Sequence, residues 1–241
     1  MKNLVKRFKQ MTNIKKGIII NFLLLFLLII IFFIGCNVGQ YRLSISKVIS
    51  TLFGGGDYYS KMTLFEFRLP RLCLALLVGI GMGMAGVAMQ NLLHNDLASP
   101  GTLGVSDGSG LFVTLYVALL KTNHSSSFAL PFLALIGGLL SSGLIFLLSF
   151  KRKKNIDPIK LIMTGVAVSA AYGALGTILM YILDQNQIEF LQRWQSGELW
   201  GTSWDYIITL AIWIFIFGGI IYYKSRTLNT IDIGYDIAKG V

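Results

Sequence analysis

The chain has 241 residues, of which 54% are apolar and only 13% charged, and its mean hydropathy is +0.68. A water-soluble domain keeps roughly a quarter of its residues charged, so this composition excludes a soluble fold and points to lipid. The formal net charge of +10 sits in blocks between apolar runs rather than on one face, which excludes a nucleic-acid surface and reads as membrane orientation.

The N-terminal block of Lys2, Lys6, Arg7, Lys9, Lys15 and Lys16 precedes an apolar run from Gly17 to Gly35 that only Asn21 interrupts. About 20 such residues span a ~30 Å hydrocarbon core at 1.5 Å each, so this is the first membrane helix, entered from the cytoplasm. Residues Asn37 to Phe67 are too polar to span. They read as an external segment with one short surface helix near Ile45–Phe53 and a break at Gly54-Gly55-Gly56-Asp57. The second span is Leu72–Met89, preceded by Arg68-Leu69-Pro70-Arg71 with the proline at a helix start. A polar elbow, Gln90 to Gly101, leads to a third span at about Gly108–Leu120, extendable back through Leu103–Val105.

After an external loop, Lys121–Ser127, the fourth span is Phe128–Phe150, closed by Lys151-Arg152-Lys153-Lys154. Both basic blocks belong on the cytoplasmic side, so an even number of crossings, four, lies between them. The fifth span, Leu161–Leu183, leaves to an acidic external segment holding Asp184, Glu189, Glu198 and Asp205 against Arg193. Trp194, Trp200 and Trp204 form an interfacial aromatic belt there. The sixth span, Tyr206–Tyr223, returns to Lys224 and Arg226, and the tail Thr227–Val241 is amphipathic without spanning. The expected fold is an all-α, polytopic membrane helical bundle of about six crossings in one domain.

Several residue patterns carry chemistry. Gly79, Gly83 and Gly86 line one face of the second span, where small residues let helix backbones approach. A formal GxGxxG at Gly81, Gly83 and Gly86 lies in mid-helix, away from any strand-to-helix turn, and is no dinucleotide site. Gly104-Val105-Ser106-Asp107-Gly108 fits G-x-S-x-G, which makes an intramembrane serine protease with Ser106 as nucleophile the enzyme alternative. The only histidines, His94 and His124, stand outside any later membrane helix, so no base is evident for it. A non-transporting scaffold is a further alternative.

Arg68 and Arg71 have two available roles: snorkelling anchors at an interface, or a cationic docking point for an acidic partner. The elbow is either a plain interhelical turn or a gate at the cytoplasmic end of a pathway, with Asn95, Asp96 and Ser99 as capping groups and Leu97 as an apolar plug. Asp157-Pro158 offers a second such break. Cys36 and Cys73 lie in or beside apolar runs, without the spacing of a disulfide framework or zinc site. No cofactor is expected. A phosphate-binding GxxxxGK[ST] loop is absent from the sequence, so ATP hydrolysis falls to a separate subunit.

The ordered set Arg68-Leu69-Pro70-Arg71, Gly79, Gly86, Gln90, Asn95-Asp96-Leu97-Ala98, Pro100, Leu103-Gly104 and Gly108 resembles the permease subunits of ATP-binding-cassette importers for iron-siderophores, haem and cobalamin. Gly165-Val166-Ala167, Trp194 to Trp200, and Leu228-Asn229 with Ile233-Gly234 and Ala238 are similar to later segments of that family. The resemblance covers essentially the whole chain. It implies a permease with cytoplasmic ATPase partners, a second permease subunit and an extracytoplasmic substrate-binding protein, importing ferric siderophore or, alternatively, haem or cobalamin by alternating access. It implies docking of the binding protein at Arg68 and Arg71, and a cytoplasmic gate at Asn95, Asp96, Leu97, Asp157 and Pro158. Gly79, Gly83, Gly86 and Gln90 would serve packing and pathway, and Leu228, Asn229, Ile233, Gly234 and Ala238 coupling to the ATPase. The implied location is the cell membrane, multi-pass, with a cytoplasmic N-terminus. Asp96 stands where the family has proline. The family has about ten crossings, so the chain is read as a truncated or partial permease.

Overall fold

The computed structural model describes residues 13–39, 41–96, 98–101, 103–120, 129–150, 157–199 and 202–228. The basic blocks at 2–9 and 151–154 and the loop 121–127 lie outside these residues, as do Leu97, Trp200 and positions 229–241. Every regular element among the described residues is helical: α1 (Asn13–Asn37), α2 (Ile45–Leu52), α3 (Tyr58–Lys61), a π-helical segment (Met62–Arg68), α4 (Leu69–Leu93), α5 (Val105–Leu120), α6 (Ala129–Ser149), α7 (Pro158–Met180), α8 (Gln185–Gln195) and α9 (Trp204–Tyr223). By length and composition, five stretches among the described residues can cross a membrane: 15–37, 58–93, 129–149, 158–180 and 204–223. The all-helical membrane bundle expected from composition is the fold observed. In lipid the backbone must satisfy its own hydrogen bonds, which is why apolar runs this long settle as helices despite many β-branched residues.

Three elements differ from the pattern read in sequence. The second span does not start at Leu72; helix begins at Tyr58 and runs unbroken to Leu93, 36 residues. At 1.5 Å per residue that is about 54 Å, well beyond a ~30 Å core, so part of it projects past the hydrocarbon. Helix α5 takes up the extension back to Val105 and has 16 residues, about 24 Å, shorter than the other spans. The acidic external segment, to which the sequence pattern assigns no element, carries helix α8, opened by a capping box in which Asp184 accepts from Gln187 N–H and the Gln187 side chain accepts from Asp184 N–H.

The chain packs as two units, residues 1–75 with 201–204, and residues 76–200 with 205–241. In the first, Cys36, Leu43, Val48, Leu64 and Leu69 are buried together, with Phe32 and Leu72 against them. Helix α2 is fixed by Ser44, whose hydroxyl accepts from Lys47 N–H at 3.3 Å. Its Lys47 pairs with Asp57 at 3.1 Å. The Ser60 hydroxyl, 2.6 Å away, and then Lys47 hold the Asp57 carboxyl below its ordinary range, while Asp57 holds Lys47 above its own.

The second unit is organised by a close α5–α6 pair. A Cβ at Gly108 would stand 2.4 Å from Ser141 Cβ, and one at Gly137 would stand 2.6 Å from the Gly108 carbonyl oxygen. No side chain fits there, so glycine sets the interaxial distance. Hydroxyls close the seam: Ser109 Oγ donates to Ala134 O at 2.7 Å and Ser141 Oγ to Gly104 O at 2.8 Å. Val113, Val117 and Leu191 are buried beside them, with Leu130, Phe190 and Trp194 packed around.

Candidate functional site

The two arginines of the first unit have separate surroundings. Arg68 is half-buried; its guanidinium donates to Cys36 O at 2.6 Å and Asn37 O at 3.2 Å, and also to Tyr41 O. The first two are carbonyls of the last turn of α1, which have no intrahelical partner and carry the negative end of the helix dipole. Arg68 is thus the C-terminal cap of α1. Arg71 is exposed.

Pro70 explains the π-helical segment before it. Proline lacks an N–H and its ring collides with the carbonyl four residues earlier in an α-helix. Here Leu69 N–H reaches back to Leu64 O, five residues, so the turn is widened. The next carbonyl in that register, Phe65 O, would need the N–H that Pro70 lacks. Trp204 Nε1 donates to it instead, at 3.0 Å. Sequence reasoning assigned Trp204 to an aromatic belt; its partner Phe65 O is 139 residues away in the chain, beyond local pattern.

The elbow is a built turn. His94 takes φ +46°, the left-handed conformation at which many helices end, and Asn95 N–H donates to Gln90 O at 3.2 Å, closing a Schellman motif. The Gln90 side chain donates from Nε2 to Asp96 O at 2.8 Å. Gln90 therefore ties the elbow from inside α4, while Asp96 stays exposed and Ala98 is buried. Gly104 turns the chain into α5 at φ +70°, where a Cβ would meet Ser169 Oγ at 2.7 Å.

At the start of α7, Asp157 Oδ1 accepts from Ile159 N–H at 3.0 Å and Lys160 N–H at 3.4 Å, with Pro158 in the first helical position. Lys160 Nζ then donates to Leu148 O and Ser149 O, each at 3.0 Å, capping the C-terminus of α6. Lys160 was missed in sequence, although a lysine one turn after Asp-Pro is the residue able to reach back over a short connection. Gly79, Gly83 and Gly86 would each accept a Cβ with nothing within 4 Å, whereas a Cβ at Gly81 would stand 3.5 Å from Ile214. Of the residues assigned to ATPase coupling, Leu228 is described and helical; Asn229, Ile233, Gly234 and Ala238 lie outside the described residues, as does Leu97 of the gate.

Within the second unit, α5, α7 and α8 enclose a cavity of about 600 Å³ reached by Ser106, Asp107, Thr114, Tyr172, Thr177 and Gln195. Ser106, the residue on which the protease alternative rests, stands on this wall, and no histidine is among the described lining residues.

Comparison with known proteins places these features. The pattern of the FecCD transport family matches residues 27–241. The iron(3+)-hydroxamate import system permease protein FhuG of Bacillus subtilis is 36% identical over 95% of this chain and 69% of its own. The Fe(3+) dicitrate transport system permease protein FecD of Escherichia coli is also 36% identical, over 75% of this chain and 54% of its own. The hemin transport system permease protein HmuU of Yersinia pestis is 31% identical over 88% and 62%. A solved structure assigned to a metal-chelate type ABC transporter in an inward-facing conformation superposes with TM-score 0.76 at 28% identity, covering 92% of this chain and 67% of that one. The chain thus spans between 54% and 69% of the length of these proteins. With its arginine-flanked proline, its built elbow and every apolar helix after α1 inside the matched region, the chain belongs to the FecCD transport family, the membrane permeases of ABC importers.

Proposed function

We propose that the chain is a permease component of an importer that takes up ferric siderophore, driven by a separate ATPase through alternating access. The observation that carries this reading is the family match over residues 27–241, joined to 36% identity with a ferric-hydroxamate permease over nearly the whole chain. The N-terminus is cytoplasmic in this reading, and the elbow with the Asp157-Pro158 break forms the cytoplasmic gate. The hydrogen-bonded elbow at Gln90–Asp96 and the capped start of α7 suit that role, because gates switch between discrete packings rather than deforming continuously. Arg71 is the docking cation for the binding protein, with Arg68 holding the mouth in shape. The open face at Gly79, Gly83 and Gly86 receives helices of the complete assembly, and Leu228 begins the segment that reads the ATPase. Nucleotide-driven motion there biases inward- against outward-open packings.

The test is radioiron accumulation by iron-starved host cells in which the gene is deleted and then restored. Deletion abolishes uptake of at least one ferric chelate and the restored gene returns it. Undiminished uptake of every ferric chelate supplied contradicts the proposal.

A further inference from the structure

Helix α2 carries an uncovered apolar face in the first unit, and that face has a defined place on the helix. At 3.6 residues per turn, its side chains fall into three sectors. Val48 and Thr51 point into the core and are buried. Leu52, Ile45, Ile49 and the C-cap Phe53 form the next sector; all four are exposed, Phe53 to 89%. Ser46, Ser50 and Lys47 form the third, and Lys47 is fastened to Asp57 at 3.1 Å. The open apolar sector thus lies between the protein core on one side and the polar sector on the other. Single exposed apolar residues are ordinary on a protein surface, but a contiguous face of large ones marks a contact.

The surroundings of α2 point to what covers it. Val48 is buried in one cluster with Leu43 and Cys36, and Cys36 lies in the last turn of α1. Residues 15–37 form a membrane-length apolar stretch, so that last turn marks the level at which the chain leaves the hydrocarbon. Helix α2 packs at this level. The open apolar surface of α1 reaches it too, through Phe33, Ile34 and Val38, all exposed.

The flanking residues suit the same place. Tyr41 and Arg42 before α2, and Tyr58 and Tyr59 after its glycine turn, are exposed. Side chains with an apolar body and a polar tip gather where headgroups meet water. A helix with one apolar and one polar sector at that depth lies in the plane of the interface, its apolar sector in the acyl boundary. Arg68, on the carbonyls of Cys36, Asn37 and Tyr41, ties the end of α1 to the approach to α2, so the two share one depth.

We propose that α2 is an interfacial membrane anchor: lipid acyl chains cover the face of Ile45, Ile49, Leu52 and Phe53, and Ser46, Ser50 and Lys47 turn to water. The proposal rests on the membrane fold and is independent of the cargo. The test places a nitroxide spin label at single introduced cysteines in the permease assembled with its ATPase in lipid nanodiscs, so that the other membrane segments of the assembly are present. Cys73→Ala removes the half-buried native thiol, and Cys36 is buried. Collisions of the label with molecular oxygen, which concentrates in lipid, are compared with collisions with a water-soluble nickel chelate. Oxygen dominates at Ile45→Cys, Ile49→Cys and Leu52→Cys, and the nickel chelate at Ser46→Cys and Ser50→Cys. The oxygen-to-nickel ratio is at least about fivefold higher at position 49 than at position 50, as immersion by about 5–10 Å requires. Few collisions with either reagent at positions 45, 49 and 52 mean that protein covers the face, a second copy or another segment of the assembly, and overturn the proposal. Frequent nickel collisions there mean open water; their loss on adding the binding protein makes that protein the occupant. Either result overturns it as well.

Discussion

Arg68 and Arg71 are three positions apart and do different work. A guanidinium with three backbone carbonyls on it is already occupied, and its removal leaves the end of α1 uncapped. Hydrogen bonds to charged groups contribute about 1.5–3 kcal/mol each, so Arg68→Gln should speed hydrogen exchange across residues 36–41 and lower the thermal midpoint. Arg71→Glu should leave that midpoint unchanged and weaken capture of the binding protein at least about tenfold, since a rim charge acts through complementarity with the partner. Equal effects of both substitutions on both readouts would contradict this division. The motif itself was legible as letters. What separates its two cations was not, because the carbonyls that occupy Arg68 are 27 to 32 residues away in sequence.

Among the elements, the spans were legible wherever an apolar run approached membrane length, since hydrocarbon thickness and helix rise leave little freedom. The shorter pieces were not. Helix α8 has a polar sequence that a search for spans passes over, although Asp184 and Gln187 at capping-box spacing are a readable start signal. Glycine spacing alone does not identify the tight contacts within the described residues. A Cβ added on the regular stripe at Gly79, Gly83 and Gly86 would meet nothing within 4 Å among the described residues, while one added at Gly137 or Gly138 would stand 2.6–2.9 Å from atoms of α5. Periodicity says which residues share a face, not what lies opposite it. Gly137→Val should therefore separate α5 from α6 and cost about 1–3 kcal/mol, seen as a lower unfolding midpoint in detergent. Gly143→Val on the same helix, where a Cβ meets nothing within 4 Å, serves as the comparison. Equal midpoints for the two variants would show that the seam does not set the packing.

For the whole molecule, the same economy recurs at each end of the spans. Carbonyls and N–H groups that lipid cannot satisfy are taken up by Arg68, Trp204, Gln90, Asp157 and Lys160. The measurement closest to the central claim is accumulation of a radioiron chelate by proteoliposomes that hold the complete permease assembly, its ATPase and its binding protein. The account predicts accumulation above the external concentration with ATP and none with a non-hydrolysable analogue. Accumulation indifferent to nucleotide, or its absence from an assembly that hydrolyses ATP in response to the loaded binding protein, would contradict it.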